Sequence, residues 1–267
     1  MIENQIINEI LAAAPVFFLI AVRALAMIEV APLLNSEFIP QIAKISLAGF
    51  AAYASISSAL VNDWVIAPFG LGFIFLVIGE ALIGIIIGFF IVIIFAAFST
   101  AGQFFSLQMG FGASETFDPL SQIENPLMGQ YLNIVAMLVF VTIDGFRELF
   151  LGGFWRSLQS INVMSLIIGR ETIVSMVLAG LSRLFFDAII ISLPILGTLF
   201  LVSLSTGLIS KAAPQINILS EGFPISITVA FMTIFFALPF MTDAFSRVIG
   251  SGFETLKTLY IQIGQRI

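Results

Sequence analysis

Long apolar stretches, separated by short segments that carry many of the charged residues, are the main pattern along the chain. A helix needs about 20 residues to cross the apolar core of a bilayer, which is about 30 Å thick, and most of the stretches reach or approach that length. They predict six helices, at about residues 10–31, 42–61, 71–99, 127–143, 184–209 and 223–242. We therefore expect an all-α, membrane-associated protein whose apolar helices form hairpins, some of them broken. Pro194 and Pro239, inside the last two apolar stretches, each remove a helical hydrogen bond and favour a kink.

The composition agrees with a membrane protein and excludes several kinds of chemistry. Of the 267 residues, 60% are hydrophobic and 10% are charged, whereas about 25% are charged in a typical soluble domain. The net charge is −6 and the 10 basic residues are scattered, so the sequence predicts no nucleic-acid partner. Because Cys and His are both absent, the chain can form no disulfide, no thiolate or imidazole metal site and no Ser-His relay. We expect no cofactor, no bound metal and no catalytic residue.

The balance of aromatic residues is unusual for helices surrounded by lipid. The chain has 2 Trp and 3 Tyr but 29 Phe. Spanning helices usually carry Trp and Tyr at both membrane interfaces. We therefore expect much of the apolar surface to pack against other proteins in a multi-subunit helical assembly.

Small residues at helical spacing predict close contacts between helices. Gly84 and Gly88 form a GxxxG pattern that Gly79 extends, and Ser203 with Gly207 forms a second pair four residues apart. Small side chains let two helix backbones approach closely in membranes. The alternative is that these glycines face lipid.

Charged residues inside the apolar helices need partners. Glu80 lies within the longest apolar stretch, where a charge costs about 3 kcal/mol unless it is paired or solvated. It is either a proton or ion relay or a buried polar contact with another helix or subunit, and the contact is favoured because no second acid follows at relay spacing. Arg23 and Glu29 are six residues apart and do not share a helical face, so each is expected to pair elsewhere, whereas Arg183 and Asp187 have the favoured spacing of four.

The segment between the third and fourth predicted helices, residues 99–120, is apolar and glycine-rich, and we interpret it as a loop. A loop of this kind is stable at membrane depth only if it is buried in protein or lines a cavity. This favours a re-entrant or pore-plugging segment, with an amphipathic interfacial loop as the alternative. Its candidate residues combine permissive glycines, bulky or polar side chains and a turn-forming pair: Gln108, Met109, Gly110, Phe111, Gly112, Asp118 and Pro119.

Several motifs, in the same order along the chain, resemble those of the FliR family of flagellar biosynthetic proteins. The similar positions are Arg23, Pro32 and Pro40, then Glu80-Ala-Leu-Ile-Gly84, Ala101-Gly102, Gln108-Met-Gly-Phe-Gly112 and Asp118-Pro119, and finally Lys211-Ala-Ala-Pro214-Gln215-Ile-Asn217 with Gly222-Phe223-Pro224. One departure is Lys211, where the family usually has Arg. Lys keeps the positive charge but lacks the planar fork of Arg.

The resemblance implies a subunit of the type III protein export gate, in the bacterial inner membrane at the flagellar basal body. The implied partners are FliP-like and FliQ-like subunits, FlhB-like and FlhA-like export proteins, and the unfolded flagellar proteins that are exported. The resemblance also implies a FliP-like part over residues 1–172, with a plug loop at about 100–120, and a FliQ-like hairpin with a tail over 173–267. Residues 108–118 would form the plug, with Met109 and Phe111 as its apolar stoppers. Buried polar or assembly contacts would involve Arg23, Glu80, Lys211, Pro214, Gln215 and Asn217.

Other functions fit the sequence less well. A small-molecule secondary transporter would need corresponding broken helices in two halves, and no internal repeat is evident. A membrane enzyme would need a nucleophile with a base, and the carboxylates are scattered. An injectisome homologue is the nearest alternative, although the Gln-Met-Gly-Phe-Gly pattern at 108–112 resembles the flagellar family more closely.

Overall fold

The computed structural model describes residues 2–61, 70–110, 127–212 and 218–264, and within these ranges the chain is helical with short turns and no strand. The helices are α1 Ile2–Val30, α2 Gln41–Val61, α3 Leu71–Met109, α4 Leu127–Thr142, α5 Gly145–Arg147, a π-helix Glu148–Trp155, α6 Arg156–Ser160, α7 Val163–Ile168, α8 Arg170–Ala212 and α9 Ile218–Gly264. The prediction of an all-α protein is confirmed.

Among the described residues, four helices are long and apolar enough to cross a membrane. Their candidate spans are Ala13–Val30 in α1, Leu71–Met109 in α3, Arg170–Ala212 in α8 and Gly222–Gly264 in α9, while α4 is a shorter apolar helix. The 43 residues of α8 and the 47 of α9 correspond to roughly 65 and 70 Å at 1.5 Å per residue, about twice the apolar thickness of a bilayer. These two helices are therefore too long to lie wholly within a membrane unless they tilt strongly.

The predicted start of one helix at about 184 and the predicted end of the next at about 242 are wrong, because α8 already begins at Arg170 and α9 continues to Gly264, both through segments that contain charged residues. Hydropathy marks where a helix can meet lipid and does not mark where its hydrogen bonds end. Both helices also continue through Pro194 and Pro239. The prolines in the α1–α2 connection do coincide with helix limits: Pro32 follows the end of α1, and the Pro40 carbonyl accepts the first backbone bond of α2, from Ala43 N at 2.9 Å.

The chain divides into two compact units. Unit 1 comprises Met1–Ile93, Asp144–Gly180 and Gly250–Ile267, and unit 2 comprises Ile94–Ile143 and Leu181–Ile249. The helix α3 contributes to both units. This division by packing does not follow the boundary between 172 and 173, which rests on a resemblance to two other proteins and stays a prediction.

In unit 1, α3 lies close to α1 because glycines face it. A Cβ added at Gly84 would overlap the Arg23 carbonyl oxygen, and one added at Gly88 would lie 2.8 Å from the Val30 Cβ. Gly79 faces α7, where a Cβ would overlap the side chain of Val163. All three glycines therefore lie at contacts too tight for a larger residue. In contrast, a Cβ at Gly207 would meet no atom of the described chain within 4 Å.

In unit 2, the C-terminal part of α3 packs against α4 in the antiparallel direction. The rings of Phe95 and Phe140 are 5.7 Å apart, and Asn133 Nδ2 donates to Ser99 Oγ at 2.9 Å. At Gly102 an added Cβ would be 2.5 Å from backbone atoms of Gly129. This glycine serves close helix packing.

We expect Gly84→Ala to destabilise the fold by about 1–3 kcal/mol, because the new methyl group would overlap a backbone carbonyl that cannot rotate away. The measurement is thermal unfolding of the purified protein in detergent. Gly49→Ala in the middle of α2 is the matched control, since a Cβ there meets nothing within 4 Å and Ala favours a helix over Gly. Equal effects of the two substitutions would contradict the packing account.

Candidate functional site

Two groups of residues singled out by the sequence have a definite geometry in the structure. The first is a cluster of buried polar groups around Arg23 in unit 1. The second is the C-terminal end of α3 in unit 2, where the predicted plug segment begins.

Arg23 is completely buried and donates hydrogen bonds to three separate parts of unit 1. Its Nε donates to Glu80 Oε2 of α3 at 2.6 Å, its Nη1 to Ser157 Oγ of α6 at 3.0 Å, and its Nη2 to the Ile161 carbonyl oxygen at 3.1 Å. The planar guanidinium suits this role because its donors point in fixed, divergent directions. A buried charge requires such partners.

The acceptor at Ile161 exists because the helix is interrupted there. Ile161 is extended, with φ −128° and ψ 124°, and Asn162 begins α7 as a capping box with Ser165. In that box Asn162 Oδ1 accepts from Ser165 N at 2.7 Å, and Ser165 Oγ accepts from Asn162 N at 2.8 Å. The break leaves the Ile161 carbonyl without a helical partner, and Arg23 satisfies it.

The π-helix Glu148–Trp155 supplies two further carbonyls to hydroxyl groups. Ser157 Oγ donates to the Phe154 carbonyl at 2.6 Å, and Tyr260 Oη of α9 donates to the Gly153 carbonyl at 2.8 Å. Segments of π-helix are rare and often occur at functional sites. Ser157 therefore joins the π-helix to Arg23, and Tyr260 joins it to α9.

Glu80 is 3% exposed and its carboxylate is held by Arg23. This geometry favours a buried contact between helices over a proton or ion relay, because the hydrogen bonds lead from Glu80 through Arg23 to a hydroxyl and a backbone carbonyl. A chain of groups that exchange protons near neutral pH would be needed for a relay. The arrangement can fix the relative positions of three segments.

The other intrahelical charges pair as their spacing predicts. Lys44 Nζ of α2 donates to Glu29 Oε2 at 3.1 Å. Arg23 pairs with Glu80, so Arg23 and Glu29 do pair with different residues. Arg183 and Asp187 lie 3.5 Å apart within α8. The latter pair is partly exposed and contributes little to stability.

The predicted loop that starts at residue 99 is wrong over its first half, because α3 continues to Met109. Residues 100–109 are compatible with helix, and Gly102 is used for packing. Gln108 is exposed in the last turn, whereas Met109 is completely buried. The chain leaves the helix at Gly110, which has φ +93° and whose N–H bonds to the Leu107 carbonyl at 3.2 Å. Glycine adopts this conformation at no steric cost.

The remaining predicted residues lie at the limits of the described chain or beyond them. Lys211 is exposed in the last turn of α8. Seven others lie outside the described residues: Phe111, Gly112, Asp118, Pro119, Pro214, Gln215 and Asn217.

Part of the Arg23 cluster is not predicted by the sequence. Ser157, the Ile161 carbonyl and Tyr260 were not singled out, and neither was the π-helix. A weak signal was present, since Tyr260 is one of only 3 Tyr residues. The helix break at 161–162 has a clearer signature, an Asn followed three residues later by Ser.

Together, the long apolar helices and the buried polar cluster define a helical membrane protein whose polar groups hold the bundle together. Residues 14–252 match the family described as "Bacterial export proteins, family 1", and the chain belongs to this family. It is 27% identical over 259 residues to the flagellar biosynthetic protein FliR of Bacillus subtilis, covering 96% of this chain and 99% of that protein. It is 31% identical over 241 residues to FliR of Escherichia coli, covering 87% and 89% of the two chains. It is 27% identical over 165 residues to the surface presentation of antigens protein SpaR of Shigella sonnei, covering 60% of this chain and 61% of that protein.

We expect Glu80→Gln to destabilise the protein by about 3–5 kcal/mol, because it leaves the Arg23 charge buried without a counter-charge. Thermal unfolding in detergent and the yield of folded protein from membranes would measure this. Asp187→Asn is the matched control, since it removes a carboxylate from a partly exposed ion pair and should change stability by less than about 1 kcal/mol. A Glu80→Gln protein as stable as the control would show that the pair is dispensable.

Proposed function

We propose that this chain is a structural, non-enzymatic component of the flagellar type III protein export gate that helps to form and close the channel for unfolded flagellar proteins. The match to FliR proteins over nearly the whole chain supports the flagellar role, because the similarity to SpaR covers a smaller part. The sequence contains no phosphate-binding GxxxxGK[ST] motif. Energy for export would come from other proteins of the apparatus.

The observation that carries this proposal is the large apolar surface that the chain leaves uncovered. In the most apolar 18-residue stretch of each helix, only 11% of the residues of α9 and 28% of those of α8 are buried within the chain. The corresponding fraction for α3 is 61%. Large side chains such as Phe235, Phe236 and Phe240 are mostly exposed. The shortage of Trp and Tyr argues that other proteins, more than lipid, cover this surface.

The proposed partners are FliP-like and FliQ-like subunits, together with FlhB-like and FlhA-like export proteins, in the inner membrane at the flagellar basal body. The helices α8 and α9 support the proposed FliQ-like hairpin over 173–267. Only residues 213–217 separate the two helices in the sequence. Thr233 Oγ1 donates to Thr198 Oγ1 at 3.2 Å. Thr198 and Thr233 lie nearly the same number of residues before and after this connection, as expected for two antiparallel helices. An antiparallel helix pair with exposed apolar faces can stack beside similar hairpins. The part proposed to be FliP-like is 1–172.

Closure of the channel is assigned to the segment from Gln108 to Pro119. The described part of this segment ends α3 with a buried Met109 and a glycine that turns the chain. A stopper for a protein channel must exclude ions and yet yield to a polypeptide. Met and Phe side chains on a glycine-rich backbone suit this requirement because they are apolar and adaptable.

We expect deletion of residues 110–116 to make cells leak small ions through the assembled gate, because the apolar stopper would be shortened. Ion flux across the inner membrane of cells that express the complete apparatus measures this. Replacement of the same residues by Ser and Gly, at unchanged length, separates the loss of apolar side chains from the loss of length. Unchanged leakage in the deletion variant would contradict the plug function.

We expect the chain to co-purify with FliP-like and FliQ-like proteins after co-expression, because these subunits would cover α8 and α9. Phe236→Asp and Phe240→Asp place a charge on this exposed surface and should reduce the recovery of the complex several-fold. Gln41→Asp, at the exposed first residue of α2 and outside α8 and α9, tests whether any added charge has this effect. A stable lone monomer, with no partner recovered, would overturn the assembly proposal.

A further inference from the structure

Two separate motifs of the sequence meet in unit 2. Gly110, in the Gln108–Gly112 motif, lies against the ring of Phe223, in the Gly222–Pro224 motif, although the two residues are 113 positions apart. Gly110 directly follows the last residue of α3, and Phe223 lies in the second turn of α9.

The contact requires glycine at position 110 for two independent reasons. With φ +93°, the backbone has a conformation that other residues adopt only with strain. In addition, a Cβ at this position would overlap Phe223 Cδ1 and would lie 2.5 Å from Cε1 and 3.2 Å from Cγ. The aromatic ring thus occupies the space that a side chain at 110 would need. The ring packs directly on the backbone at the point where the chain leaves α3.

We infer that Phe223 is a positioning residue for the gate, which holds Gly110, the point where the plug segment leaves α3, in the position that closes the channel. This inference rests on the proposed plug function and adds the residue that fixes where the plug begins. Met109 is completely buried, whereas Phe223 is 42% exposed. The contact therefore joins the buried end of α3 to a side chain at the surface of this chain.

The first test is ion leakage in cells with the complete apparatus that carry Phe223→Ala. We expect a several-fold increase over the parent chain, with unchanged recovery of the complex. Phe223→Tyr keeps the ring and its contact with Gly110, so leakage should stay at the parent level. The matched control is Phe231→Ala, at a similarly exposed phenylalanine two turns further along α9, which should leave leakage unchanged.

The second test asks whether residues 110 and 223 act through the same contact. Gly110→Ala should raise leakage in the parent chain, because it displaces the ring and strains the backbone. In the Phe223→Ala chain the ring is already gone, so Gly110→Ala should raise leakage by a smaller factor. Equal factors in both chains would show that the residues act independently and would overturn the inference.

The outcomes separate this inference from the plug proposal. If deletion of 110–116 causes leakage and Phe223→Ala does not, the plug stands and the role of Phe223 is wrong. If neither variant leaks, both fail. If Phe223→Ala lowers recovery of the complex without added leakage, the residue has a purely structural role, which also overturns the inference.

Discussion

Arg23 places a positive charge where no water reaches it, and the segments around it are arranged to supply acceptors. One acceptor is the carboxylate of Glu80 and another is the hydroxyl of Ser157. The third is the carbonyl of Ile161, which accepts no helical hydrogen bond because the helix is interrupted there. These bonds offset part of the cost of burying the two charges, and removal of one partner leaves a buried group unsatisfied. Unit 1 therefore has one favoured arrangement of α1, α3 and the segment after the π-helix.

Close packing and the polar cluster depend on each other. Glu80 can reach Arg23 because α3 approaches α1 within the space of a glycine at position 84, and the carbonyl at that approach belongs to Arg23 itself. Gly88 extends the contact with α1 along α3, while Gly79 lies against Val163 of α7. A side chain at these positions would separate the helices and lengthen the ion pair, so stability and position are set by the same few residues.

The proposed gate combines this fixed part with surfaces that are incomplete alone. The helices α8 and α9 leave most of their apolar residues uncovered, which suits a subunit stabilised by its neighbours. At the end of α3, a buried methionine is followed by a glycine whose backbone supports an aromatic ring. Through this contact the packed helices of unit 2 can hold the start of such a segment at a defined point.

The sequence by itself determined the all-α class, the membrane character and the need of Glu80 and Arg23 for buried partners, because these follow from hydropathy and from the cost of unpaired charge. It also identified the glycines that permit close helix contacts, since a GxxxG spacing has a direct steric meaning. It did not determine where α3, α8 and α9 end, because hydrogen bonding continues past the apolar residues. Only the tertiary structure decided which groups meet: Arg23 with Ser157 and the Ile161 carbonyl, and Gly110 with Phe223. These contacts join positions more than a hundred residues apart, and no local pattern encodes such a distance.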